Sequence, residues 1–448
     1  MMAGEATSTP TFTCPAGTIV GWRDRDVVRV TGIRYAFAER FQAPSAAPPQ
    51  EDDLHAATWA PACPQPEYPP LKDLFGTGNG DLLQSEDCLR LSLTIPAEAR
   101  PTEPLPVMVW FHGGNYEVGA GDTPTLDPAV LVQEQRVVVV SVTYRLGMFG
   151  YLGDGAARPA NLGLLDQVEA LRWVQRNVAA FTGDPNCVTV FGQSAGADAV
   201  AHLMISQEAK GLFRRAIIQS APFGLVHHRA PMVKALMQEA LSVDATSSID
   251  DVLAAHARVR QAAEPFGAAG GMPFAPLYGH RPLPSEEQVS EAWSRVAPEI
   301  DVLIGTTGRE AALPSELPAL WAMAFPLVGP LVRDIVIRYV TWKIYTAEAR
   351  RFARRHRRGG GRVARYVLRW GSRRNPFRSA HAVDLPLLFP REDAWAKAAL
   401  ITGSSWSDVM RDGREVRRVW GQFARAGEFA TPRTRILRMR RGPGRTAA

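Results

Sequence analysis

A serine framed by glycines, Gly192-Gln193-Ser194-Ala195-Gly196, follows directly on an apolar, β-branched run, Val188-Thr189-Val190-Phe191. Small and apolar residues with helical character continue from Ala197 to Ile205. A serine hydroxyl is a weak nucleophile at neutral pH. It needs a base within hydrogen-bond reach, and an acid to orient that base. Strand, sharp turn and helix in this order push the serine out at the carboxyl end of a sheet and set it at a helix N-terminus. Free N–H groups there favour developing negative charge. Gly192 and Gly196 are required because a side chain at either place would collide with the neighbouring strand or helix. The five-residue pattern alone is weak, but its flanks are what the turn demands.

The partners can be sought by chain order. In α/β-hydrolases the order is serine, acid, histidine. Of the nine histidines, only His356 and His381 lie far enough towards the C-terminus. His356 sits within Arg351–Arg358, a run that reads as solvated, where neighbouring positive charge opposes protonation. His381, in Ser379-Ala380-His381-Ala382-Val383-Asp384, follows a predicted strand at 363–368 and is the better base. Glu310 follows the predicted strand Val302–Gly305 and falls at the same sheet edge as Ser194. Asp301 precedes that strand and falls at the opposite edge, while Asp384 stays open as an alternative acid. Donors for an oxyanion are expected from the N–H of Ala195 and from His112-Gly113-Gly114-Asn115, after the apolar run Leu105–Phe111.

The elements that must position these groups follow the same logic. Leu105–Phe111 is a nearly continuous apolar run, suited to a strand buried on both faces, and 137–142, Val-Val-Val-Val-Ser-Val, reads as another buried strand. Ser85–Leu93 alternates and is predicted as a strand, as are 216–220, 302–305 and 363–368. Leu162–Val178 and 406–426 have helical spacing. The pattern predicts an α/β fold with a mostly parallel central sheet flanked by helices. Residues 1–430 form one domain in this reading, with 223–300 as a helical cap and 431–448 as a basic, unstructured tail.

Bulk properties exclude several other classes. The 448-residue chain carries a net charge of +6, almost all of it arginine, since only Lys72, Lys210, Lys234, Lys343 and Lys397 are lysines. Arginine is dense only at 351–378 and after Thr431, without a known nucleic-acid-binding motif, so no nucleic-acid partner is expected. No apolar leader precedes Cys14, and the most apolar stretch, 321–340, is broken by prolines and charges. A cytoplasmic protein without a membrane partner is the expectation. Cys14, Cys63, Cys88 and Cys187 lack metal-ligand spacing, and the chemistry needs neither metal nor cofactor.

From about Gly17 to Gly427 the chain resembles the type B carboxylesterase family, which includes para-nitrobenzyl esterases and cholinesterases. The resemblance rests on Arg40-Phe41-Gln42-Ala43-Pro44, Ser85-Glu86-Asp87-Cys88-Leu89, His112-Gly113-Gly114 and Tyr144-Arg145-Leu146-Gly147. It continues through Asn161-Leu162-Gly163-Leu164-Leu165-Asp166-Gln167, Gly183-Asp184-Pro185 and the serine turn. It implies an α/β-hydrolase fold and cleavage of small carboxylic esters through an acyl-enzyme. Ser194 would be the nucleophile, Glu310 the acid and His381 the base, with oxyanion donors on Gly114, Asn115 and Ala195. It also implies a disulfide between Cys63 and Cys88, whose closure of a loop would stabilise by on the order of 3 kcal/mol. Two buried free thiols are the alternative in a reducing compartment. Asn115, Gln193, Ser92 and Arg309-Glu310-Ala311 depart from the family's usual residues, and the chain is short within 223–300. A catalytically weak or inactive relative that only binds is the competing function. The surviving serine, carboxylate and imidazole favour the enzyme.

Overall fold

The computed structural model describes residues 9–313 and 329–441. Its centre is a ten-stranded sheet. In chain order the strands are β1 (Trp22–Asp24), β2 (Val27–Arg34), β3 (Arg90–Pro96), β4 (Leu105–Phe111), β5 (Val138–Val142), β6 (Gly183–Gln193), β7 (Arg215–Gln219), β8 (Asp301–Thr307), β9 (Val363–Leu368) and β10 (Leu437–Arg441). They lie side by side as β10-β9-β8-β7-β6-β4-β5-β3-β2-β1. The block from β9 to β5 is parallel, and antiparallel strands close both flanks.

Alternation along β4 shows why the sheet is covered twice. Val107, Val109 and Phe111 point into one apolar cluster, and Met108 and Trp110 into the other. On the first face pack α1 (Leu162–Asn177) and α2 (Ala195–Ile205). Between β7 and β8 the chain runs through α3 (Ala230–Ala240), α4 (Ile249–Ala263) and α5 (Val289–Val296), with the irregular stretch 264–288 between the last two. After β8 come α6 (Gly329–Val340) and α7 (Ala347–Arg358). The second face is covered by α8 (Trp406–Ala426), which buries Val409, Val416, Val419, Trp420 and Phe423 against Trp110, Phe191 and Ile217.

Three expectations change here. Strand β3 begins only at Arg90, because Glu86 and Asp87 are drawn into ion pairs with Arg40, Arg34 and Arg90 instead of a ladder. The basic tail is not wholly irregular, since β10 pairs with β9 from Leu437 to Arg441. His356 is buried, not solvated: it stacks on Phe352, and its Nε2 meets the Ile300 carbonyl 2.9 Å away. Burial pushes its pKa down to about 4. Among the described residues no helix is long and apolar enough to cross a membrane. Residues 321–328 of the apolar 321–340 stretch lie outside the described residues.

Candidate active site

The turn between β6 and α2 is built as the glycines require. A Cβ on Gly196 would stand 2.0 Å from the Phe111 carbonyl oxygen and 2.5 Å from that of His112, and one on Gly192 would stand 2.5 Å from the Gly196 backbone. Only hydrogen fits where strand and helix cross. Ser194 takes φ 57° and ψ −127°, outside the regions open to most side chains. Its N–H donates to the Gln219 carbonyl (2.8 Å) and its carbonyl accepts from Asp198 N–H (3.0 Å), so both neighbouring elements hold the strained residue.

Glu310 lies just past β8 and is fully buried. Its Oε1 accepts the Thr307 N–H (2.6 Å) and its Oε2 meets His381 Nδ1 at 2.7 Å. The His381 N–H donates to the Glu310 carbonyl (3.2 Å), so backbone and side chain join the two loops. A carboxylate only accepts, so Nδ1 carries the ring proton and Nε2 is left as an acceptor. The structure sets Nε2 3.0 Å from the side-chain nitrogen of Gln193, the residue before Ser194. Tyr345 lies beside the imidazole, with ring centroids 5.4 Å apart. Glu310 rather than Asp384 therefore faces Nδ1. Asp384 is buried behind the pair and accepts from Gln219 Nε2 (2.5 Å), whose Oε1 in turn accepts from Trp420 Nε1 (3.0 Å). Burial pushes Asp384 up to about 6, aided by the nearby Glu310 and opposed by the Gln219 bond.

The glycine loop abuts the serine. A side chain on Gly113 would come within 3.1 Å of Ser194 Cβ. Gly114 (φ 111°), Asn115 (φ 61°) and Tyr116 (φ 59°) are three successive residues with left-handed backbone. Among the described residues the N–H groups of Gly114 and Asn115 have no acceptor within the protein. Ala195 is the first residue of α2. A cavity of about 120 Å³ lies against Gly113, Gly114 and Gln193 and is walled by Leu71, Phe75 and Leu126.

Known proteins share this arrangement of elements. The sequence profile of the Carboxylesterase family matches residues 8–318. The chain is 37% identical over 433 residues to a protein described as a probable N-octanoylanthranilate hydrolase of Rhodococcus erythropolis, with 94% of each chain covered. It is 33% identical over 452 residues to the para-nitrobenzyl esterase of Bacillus subtilis, covering 93% of this chain and 89% of the other. A solved PNB esterase superposes with a TM-score of 0.80 at 29% identity, covering 97% of this chain and 98% of the other. A thermophilic one gives 0.79 at 31%, covering 95% and 92%. The chain belongs to the carboxylesterase family. It is a hydrolase of carboxylic esters with the α/β-hydrolase fold.

Within this carboxylesterase some neighbours of the site carry no sequence signal. Gln193 reads as a mild change beside the serine, yet it touches the imidazole. Asp198, one turn into α2, is fully buried and accepts from Tyr116 Oη at 2.8 Å, while His202 lies against it. A buried carboxylate on that helix is visible in the sequence, but its partner in the glycine loop is not. Cys63 and Cys88 do meet in the core, as free thiols, and Cys63 Sγ accepts the Leu146 N–H (3.3 Å). Among the described residues no cluster of His, Cys, Asp and Glu could hold a metal ion.

Proposed function

We propose that this carboxylesterase cleaves small esters through an acyl-enzyme on Ser194. The observation that carries the reading is the 2.7 Å contact between His381 Nδ1 and Glu310, with Nε2 directed at the residue beside Ser194. When the Gln193 amide turns aside, Nε2 takes the Ser194 proton as Oγ attacks the ester carbonyl. Glu310 holds the ring and stabilises the imidazolium. The N–H groups of Gly114, Asn115 and Ala195 receive the oxyanion, and the imidazolium then protonates the departing alcohol. Water repeats the cycle on the acyl-serine. No cofactor enters these steps.

The uncharged cavity beside the glycine loop favours an apolar group on the ester, since a charge there would lose its hydration without a partner. Residues 1–430 act as one catalytic domain in this reading, with 223–300 as its cap. The four free cysteines agree with a reducing, cytoplasmic setting. Arginines engaged in ion pairs along the chain, such as Arg29, Arg145, Arg172 and Arg417, argue against a nucleic-acid partner.

The test is a panel of p-nitrophenyl esters from acetate to decanoate, with N-octanoylanthranilate added because the Rhodococcus relative bears that name. We expect turnover by the wild type, and a loss of about 10⁴-fold or more in Ser194→Ala. Equal turnover by the two proteins removes Ser194 from the mechanism. No turnover of any ester or of the N-octanoylanthranilate amide by the wild type favours a protein that only binds.

A further inference from the structure

Three consecutive residues with positive φ are costly, and such a segment persists only where its surroundings over-determine it. Asparagine tolerates this region better than a bulky residue, and tyrosine is poorly suited to it. Gly114, Asn115 and Tyr116 are nevertheless held there, and they carry two of the three proposed oxyanion donors. Some of the restraint is local: the Tyr116 carbonyl accepts from Gly147 N–H (2.6 Å), and its hydroxyl donates to Asp198.

The rest comes from the insertion between β7 and β8. Asn115 Nδ2 donates to the Gly271 carbonyl at 3.1 Å. Arg260, on α4, forms an ion pair with Glu117. One turn earlier on the same helix face, His256 presses on Gly147, where an added Cβ would meet its ring at 2.6 Å. That glycine carries the N–H bonded to Tyr116. Glu117 is 6% exposed, whereas the Arg260 side chain is 45% exposed and reaches in from the surface.

We propose that Arg260 is a positioning residue for the oxyanion loop, and that α4 with the following 264–271 segment clasps this loop at Glu117 and Asn115. The inference rests on the Ser194 reading above. The clasp keeps the Gly114 and Asn115 N–H groups aimed at the oxyanion. Loosening it weakens the transition state while leaving the apolar cavity that receives substrate intact.

The experiment compares wild type, Arg260→Ala, Arg260→Lys and Ser194→Ala. It reads kcat and KM on a p-nitrophenyl ester, and the affinity for an alkyl trifluoromethyl ketone, which forms a tetrahedral adduct with a serine. Arg260→Ala should lower kcat by about 10-fold with KM changed less than about twofold. Ketone affinity should fall in parallel with kcat, and Arg260→Lys should restore most of both. If Arg260→Ala does not yield folded protein, Arg260→Gln, which keeps the side-chain stem, is held to the same criterion. A lowered melting temperature with unchanged kcat and ketone affinity overturns the clasp while the esterase reading stands. Wild-type hydrolysis and ketone binding that both survive in Ser194→Ala overturn the nucleophile reading, and the clasp with it.

Discussion

Ser194 is carried by one strand, one turn and one helix, continuous in the chain, and packed against backbone from β4 and β7. His381 and Glu310 are placed by each other, across 71 positions of sequence. On the serine side the constraint is steric and lies in backbone atoms: Phe111 and His112 carbonyls stand where any Cβ on Gly196 would go. On the acid–base side it is polar and turns on side chains, a carboxylate shared between the Thr307 N–H and an imidazole, with one backbone bond from the His381 N–H to the Glu310 carbonyl beside it. Backbone cannot retreat without moving β4, so the serine side should fail together with the fold. Side-chain hydrogen bonds can be exchanged for near-isosteres, so the acid–base side should lose chemistry and keep the fold.

The largest effect expected on the acid–base side is from Glu310→Gln. The amide retains an acceptor for Thr307, so the loop stays closed. Its NH₂ group can force the proton onto Nε2, the wrong tautomer for a base. Activity on p-nitrophenyl esters should fall by about 10³-fold or more, with a melting temperature close to that of the wild type. Activity within tenfold of the wild type would move the role of acid to Asp384. On the serine side, Gly196→Ala should cost about 3 kcal/mol or more in urea unfolding, with activity lost in the same variant. A fully stable but inactive Gly196→Ala protein would contradict the steric account.

The same contrast governs what could be read from sequence. Local constraint leaves local marks. The β4 run Leu105–Phe111, the helix 406–426 and the glycine-framed serine coincide with the structure because burial and steric demand write themselves into neighbouring residues. His381 and Glu310 were reachable because chain order and strand polarity put both at one sheet edge. Contacts between distant side chains left no such mark. Gln193 on His381, and Arg260 on Glu117, join residues 188 and 143 positions apart. Arginine also masked periodicity. In α7 the inward residues Ala349, Phe352, Ala353 and His356 keep helical spacing, but the intervening arginines made the segment read as solvated. In β10 the alternation Leu437-Arg438-Met439-Arg440 is a strand pattern that charge disguised as tail.

A smaller effect should come from Asp384, which lies behind the acid–base pair and faces no solvent. Burial raises its pKa from the ordinary carboxylate value to about 6. The folded protein therefore holds this proton more tightly than the unfolded chain does. The stabilisation is fully present below about pH 4, where both states are protonated at this site, and it is lost as the pH rises through about 6. Asp384→Asn keeps an acceptor for Gln219 and removes the ionisation. Relative to the wild type, the variant should gain stability between pH 4 and pH 7.5, by at most about 3 kcal/mol. Urea unfolding of both proteins across that range measures the difference. A gap that does not change with pH would mean that Asp384 ionises alike in the folded and unfolded states. The carboxylate behind His381 would then stay charged beside the imidazole down to about pH 4 rather than only above about pH 6, and the division between the two sides of the site would have to be redrawn to give Asp384 a share in orienting the base.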